Sequence, residues 1–233
     1  MKKIFFILFA AMAFVQCRVK TGSGDLVSEQ RNVKKFKAIS VGGDFNVTLR
    51  QSANFKVSIE ADDNIIDDIQ TDVDDEKLHI SFEDNIRFSN TTANVLIEAP
   101  EFVYIRGAAS ARIKSENNLS SGNKIKVDAS SAANLQLSID APDANAEASS
   151  GSSIYLKGHT KNLDSEASSG AQLNTSELLA ENVKAQASSG ATLKLHASVQ
   201  LNAQASSGAS IAYRGNPTVS KQQSSGGSIS RMD

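Results

Sequence analysis

The sequence predicts an all-β chain: a single-stranded parallel β-helix, or β-solenoid, entered through an N-terminal β-rich start. Three observations point there. An Ala-Ser-Ser-Gly motif recurs, apolar and polar residues alternate around it, and the composition is rich in Ala and Ser with no Trp. A core made of such small side chains has to be thin.

The motif returns at Ala129-Ser130-Ser131-Ala132, Ala148-Ser149-Ser150-Gly151, Ala167-Ser168-Ser169-Gly170, Ala187-Ser188-Ser189-Gly190, Ala205-Ser206-Ser207-Gly208 and Gln223-Ser224-Ser225-Gly226. Its spacing of about 18 to 20 residues lies in the range of repeat architectures. A weaker copy sits at Gly107-Ala108-Ala109-Ser110, and Val41 to Val47 has a similar outline that sequence alone does not let us count.

Around each motif the apolar positions alternate: Val127, Ala129 and Ser131, then Leu135, Leu137 and Ile139; later Val183, Ala185, Ala187 and Ser189, then Leu193 and Leu195. A period of two marks a strand with one buried face. A flexible Ser/Gly linker has no reason to keep two aliphatics in register after every Ser-Ser-Gly. Glycine is expected at the corners, where positive φ is needed. The serine hydroxyls, stacked too far apart to bond one another, are expected to satisfy backbone groups there. One turn cannot fold alone, so stability has to come from stacked neighbours sharing ladders and apolar columns.

Before the repeats, larger strands are expected at Phe45 to Leu49, Phe55 to Ile59, Lys77 to Phe82 and Ala93 to Ile97. Between them Ile65, Ile66 and Ile69 suit one face of a short helical turn. The expected organisation is a signal peptide over 1–16, an anchor and tether over 17–35, and one β-helical domain over 36–233. Within that domain, 36–105 forms a β-rich part that starts and caps the coil, and 106–233 carries the repeats.

The first residues read as an export signal, with Lys2 and Lys3 ahead of an apolar run from Ile4 to Val15. The run is too short to span a bilayer as a helix. Cys17 follows one residue behind it; as the single cysteine it forms no internal disulfide, and its position resembles the acylated cysteine of bacterial lipoproteins. Phe14, Val15 and Gln16 stand where small residues usually precede such a cysteine. The formal charge is -2, becoming -4 once Lys2 and Lys3 leave with the signal, which gives no electrostatic footprint for nucleic acid.

Further features point to a family. These are Gly22-Ser23-Gly24 followed by Glu29, Arg31, Val33 and Phe36, then Ile39-Ser40-Val41-Gly42-Gly43, Val57-Ser58-Ile59-Glu60-Ala61-Asp62, Leu78-His79-Ile80 and the repeated Ala-Ser-Ser-Gly. Together they resemble the putative auto-transporter adhesin family with a head GIN domain, a domain of unknown function common in exported proteins of Bacteroidetes type. The resemblance covers nearly the whole mature chain. It implies a right-handed, single-chain parallel β-helix at the cell surface or in the periplasm, and no particular activity.

The sequence offers little catalytic chemistry. His79, His159 and His196 lie on separate segments without the spacing of a metal pair. No Gly-x-Ser-x-Gly elbow is present, and the many serines read as structure. The acidic run Asp62, Asp63, Asp67, Asp68, Asp72, Asp74, Asp75 and Glu76 invites calcium, yet its order does not match an EF-hand loop, and it reads as a solvated face. No catalytic, cofactor or metal site is assigned, and the only site residue is Cys17 as the lipid anchor.

The expected function is that of a non-enzymatic envelope protein, adhesin-like in its binding or structural role. It would be exported and held in the outer membrane by lipid, facing the periplasm or the surface. A glycan or an envelope protein is the expected partner, with self-association as a further option. The alternative is a polysaccharide-processing or carbohydrate-binding β-helix, which would need paired carboxylates, or a carboxylate beside Arg or Lys, in a cleft.

Overall fold

The computed structural model describes residues 18–84 and 86–232. They wind as a β-solenoid of about six turns. The expected signal segment and Cys17 lie outside the described residues.

Two walls face each other across a narrow core. The first stacks Lys77–Phe82, Ala38–Gly42, Tyr104–Ala108 and Ile125–Ala129 in parallel. It continues through the ends of three long strands, Asn134–Ala148, Ser153–Ala167 and Gln172–Ala187, and then through Gln200–Ala205 and Thr218–Gln223. The second wall stacks Ala93–Ala99, Asn46–Gln51 and Arg112–Ser115, the starts of the same long strands, then Thr192–His196, Ser210–Arg214 and Ser228–Arg231. A third side closes the coil where Leu119–Ser120 pairs with Ile139 and Asp140.

Alternation decides what each wall buries. Along the first wall the core column passes from Ile39 and Ile105 through Val127 to Ala146, Ser165, Ala185 and Ala203, all buried. The second wall keeps Val47, Ile113, Leu135, Ile154, Leu173, Leu193 and Ile211. In the later coils a column of Ala and Ser set against one of Leu and Ile keeps the cross-section of an 18- to 20-residue coil narrow, as dense packing requires. Buried Ser165 is satisfied through Oγ donating to Lys184 O at 3.2 Å.

The corners depart from the expected alternation, which holds through the motif alanine and then stops. Ser169 and Gly170 both take positive φ, 51° and 70°, and Ala171 N donates to Ser168 O at 3.1 Å. Two successive positive φ values inside such a closed turn are the mark of a type I′ turn. The second serine of each motif, including Ser131, Ser189 and Ser207, is therefore exposed rather than inward. The corner backbone is also satisfied differently from the expectation. Gly170 N donates to Ser189 O at 3.0 Å and Ser168 N to Ala148 O at 3.0 Å, so the ladder of one coil on the next does most of what the hydroxyls were expected to do. At one corner a hydroxyl does serve, where Ser152 Oγ accepts from Ser149 N at 3.0 Å and donates to Ala129 O at 2.9 Å.

The outline at Val41 to Val47 is a coil, because Ala38–Gly42 and Asn46–Gln51 stack in register against Tyr104–Ala108 and Arg112–Ser115. Variation in repeat length is absorbed by a register shift between Tyr155 and Lys157.

At the N-terminal end, chain order and stacking order part. After Gln51 the chain descends, so that Lys77–Phe82 and Ala93–Ala99 form the layer beneath the first coil. Lys56–Asp62 and Leu26–Arg31 then add antiparallel strands below the second wall, and Ile69–Asp74 adds one below the first. Ile65, Ile66 and Ile69 are buried around a 3-10 turn at Ile66–Asp68. Arg18–Thr21 pairs with Ile86–Ser89 as a separate ribbon. The loop after it is clasped by Asp62, only 2% exposed, whose two oxygens accept from Gly24 N and Thr92 N, each at 2.7 Å. Asp62 thus leaves the solvated acidic face to which its sequence neighbours belong.

Candidate functional site

Because the second wall is stacked in register, its outward side chains form straight rows whose successive members lie about 4.8 Å apart. One row runs Asn94, Asn46, Arg112, Asn134; the other runs Leu96, Thr48, Lys114, Gln136. The antiparallel strands at the base prolong them with Glu60, Ser58 and Ser28. Together these residues line an open groove of about 750 Å³.

The groove is wired in one direction. Asn94 Nδ2 donates to Glu60 Oε2 at 3.0 Å, and Asn46 Nδ2 donates to Asn94 Oδ1 at 3.3 Å. An ionised carboxylate only accepts, so Glu60 sets the orientation of both amides. Gln136 Nε2 donates to Asn134 Oδ1 at 3.2 Å. Arg112 is paired with Asp44, and neighbouring Arg50 lies between Glu98 and Glu116. Lys114 is exposed, and among the described residues no carboxylate lies within ion-pair distance of it.

The first wall carries a different surface. Tyr104 OH donates to Asp128 Oδ2 at 2.6 Å, and Lys126 Nζ reaches Glu147 at 3.0 Å and Asp128 Oδ1 at 3.5 Å. That buried Oδ1 has no hydrogen bond. Burial, and then the hydrogen bond with Asp128, hold the Tyr104 phenol above its usual value. Burial pulls Lys126 down, but the hydrogen bond with Glu147 and the charges of Asp128 and Glu147 outweigh it and raise the ammonium overall. In register, Asp128, Glu147 and Glu166 follow one another on consecutive coils, and Gln186, Gln204 and Gln222 continue the row. A second ladder runs along the adjoining corner, Asn182 Nδ2 donating to Asn162 and Asn162 Nδ2 to Asp143.

The histidines are distributed as their spacing suggests for His79, which lies alone on the first wall. His159 and His196 both line a shallow groove that also includes Asp140 and Glu181. Among the described residues no set of three His, Cys, Asp or Glu side chains is placed to hold a metal. The polar rows were not visible in the sequence, because Asn94, Asn46 and Arg112 become neighbours only through a layer order that reverses chain order. No helix among the described residues is long and apolar enough to cross a membrane.

Comparison with solved structures finds the same fold. A putative adhesin from Bacteroides fragilis NCTC 9343 superimposes with a TM-score of 0.85 at 21% identity, covering 91% of this chain and 100% of that one. A putative adhesin from Parabacteroides merdae ATCC 43184 gives 0.73 at 16% identity, with 93% and 100% covered. A protein of Parabacteroides distasonis ATCC 8503 described as a putative lipid binding protein gives 0.70 at 16% identity, with 93% and 100% covered. At these identities the likeness concerns the fold alone. No curated protein matches the sequence. The family model described as putative auto-transporter adhesin, head GIN domain, matches residues 35–217, and the chain belongs to that family.

Proposed function

We propose that the protein is a non-enzymatic, adhesin-like binding module of the cell envelope, exported and held to a membrane by lipid on Cys17, and that the groove of the second wall is its binding surface. The observation that carries the reading is the pair of in-register polar rows, whose amides are already oriented before any ligand arrives. Preorganisation of this kind lowers the cost of binding. A net negative charge and a groove without aromatic side chains argue against nucleic acid. A glycan-array and whole-cell binding assay with the chain from Arg18 onward tests it: silence on both rejects the binding reading. Detergent partitioning of wild type and Cys17→Ser tests the anchor, and equal partitioning of the two rejects it.

A polysaccharide-processing function is the second reading. It is favoured by the run of Asp128, Glu147 and Glu166 on adjacent coils beside Lys126. Against it, Lys126 lies between Asp128 and Glu147 and ties both into one ion-paired cluster. Among the described residues this leaves Glu166 as the one acid of the run without an ion pair, where glycoside chemistry of this kind needs two carboxyl groups facing a substrate. Depolymerisation of any array-positive glycan that is lost in Glu147→Gln would reverse the ranking.

A further inference from the structure

We infer that the groove of the second wall takes an extended acidic glycan lying along the coil axis, with one of its carboxylates seated at Lys114. This rests on the binding reading above and names its ligand class. The groove crosses six strands, a run of about 24 Å at the usual strand separation. Those strands lie within the sheet except at Leu26–Arg31, so the backbone groups of the groove floor are engaged in ladders with their neighbours. Beyond that one edge a peptide therefore cannot bind by adding a strand, and a ligand meets side chains only.

Those side chains select hydroxyls. Asn94, Asn46, Thr48, Asn134 and Gln136 offer a donor and an acceptor at nearly every step along the groove. A chain of hydroxyl-bearing rings answers both at each step; an aliphatic chain answers neither, and Leu96 is the one apolar side chain in the outward rows.

Charge sets the direction. Glu60 lies at the base end with an oxygen taken by Asn94, while Arg112 and Lys114 lie two strands above Asn94. Arg112 is occupied by Asp44. Lys114 is the open cation, and a carboxylate on the glycan gives it the partner the protein withholds.

The test uses the full chain in detergent micelles and three probes: a short oligogalacturonate, its carboxyl-reduced counterpart of equal length, and a polyglutamate peptide of equal charge. Oligogalacturonate should bind. Lys114→Gln should weaken it about tenfold, as loss of a charge-assisted contact does, and leave the reduced probe unaffected. Asn46→Ala should weaken both sugars, and Gln204→Ala on the other wall neither. Both Lys114 and Asn46 are exposed, so unchanged melting curves confirm that each variant is folded. Polyglutamate binding as tightly as the sugar, or sugar binding indifferent to Lys114→Gln and Asn46→Ala, overturns the proposal. Array-positive glycans that ignore the groove variants overturn this proposal while leaving the binding reading intact; an array without any positive glycan removes both.

Discussion

Tyr104 donates its hydroxyl to Asp128 across neighbouring coils at 2.6 Å, beneath the ammonium groups of Lys77 and Lys126, which lie 5.6 and 6.0 Å from the ring centre. Since burial and Asp128 raise the phenol's folded pKa, the unfolded chain loses that proton first as pH climbs. The contribution is complete below about pH 10 and is lost as pH rises through the folded value. Tyr104→Phe should cost about 1 to 2 kcal/mol at neutral pH, with the gap to wild type narrowing above about pH 10. Urea unfolding at the two pH values checks this, and a gap that stays constant rejects it.

Ala187 lies inward on the first wall with 4% exposure, facing a core already closed by Leu and Ile from the opposite wall. Ala187→Leu should overpack it and cost about 1 to 3 kcal/mol. Gln186→Leu, one residue away and outward, should cost under about 0.5 kcal/mol. Equal costs would mean that the register is wrong.

That register is where sequence reasoning worked and where it stopped. Val183, Ala185 and Ala187 announce their burial through a period of two, and the repeat spacing stacks each on its copy in the next coil. The reasoning failed at Ser189, because a period of two has no way of marking the residue at which a strand ends and a type I′ turn begins. It failed again at Asp62, which reads like the exposed acids around it; only the fold shows that Gly24 and Thr92 direct two backbone N–H groups at its carboxylate. The groove was hidden for a third reason. Its rows join residues from layers that the chain visits out of order, so no local pattern contains them.

The Asp62 clasp should control how the N-terminal ribbon is held. Asp62→Ala leaves the Gly24 and Thr92 donors without their partner, which should cost about 1 to 3 kcal/mol. The loss should be local, since the clasp joins a two-stranded ribbon to the base while the repeats stack above. Hydrogen exchange should therefore quicken from Thr21 to Asp25 and remain slow at Leu193 and Ile211. Uniform loss of protection along the chain would show that the clasp supports the whole coil.

We predict that the last described turn of the coil discourages growth. In the last turn Lys221 stands in register over Ala203 and Gln223 over Ala205, so the core column ends in two polar side chains. Both are exposed, and Gln223 Nε2 reaches back to Gly227 O at 3.5 Å. Lys221 and Arg231 put positive charge on an edge whose backbone groups could otherwise recruit another strand, a recognised defence against edge pairing. Deleting residues from Thr218 onward removes this layer. It would expose Leu201, Ala203, Ala205 and Ile211, all now buried, together with the ladder edges of their strands. The truncated chain should then associate in light scattering at concentrations where the full chain stays dispersed. The opposite arrangement, in which the last turn docks onto a second copy as an adhesive filament would require, predicts concentration-dependent linear oligomers for the full chain and their loss on truncation. Charge decides between the two as well: if Lys221 guards the edge, Lys221→Ala should move the full chain toward association, and raising the salt should do the same by screening the remaining charge.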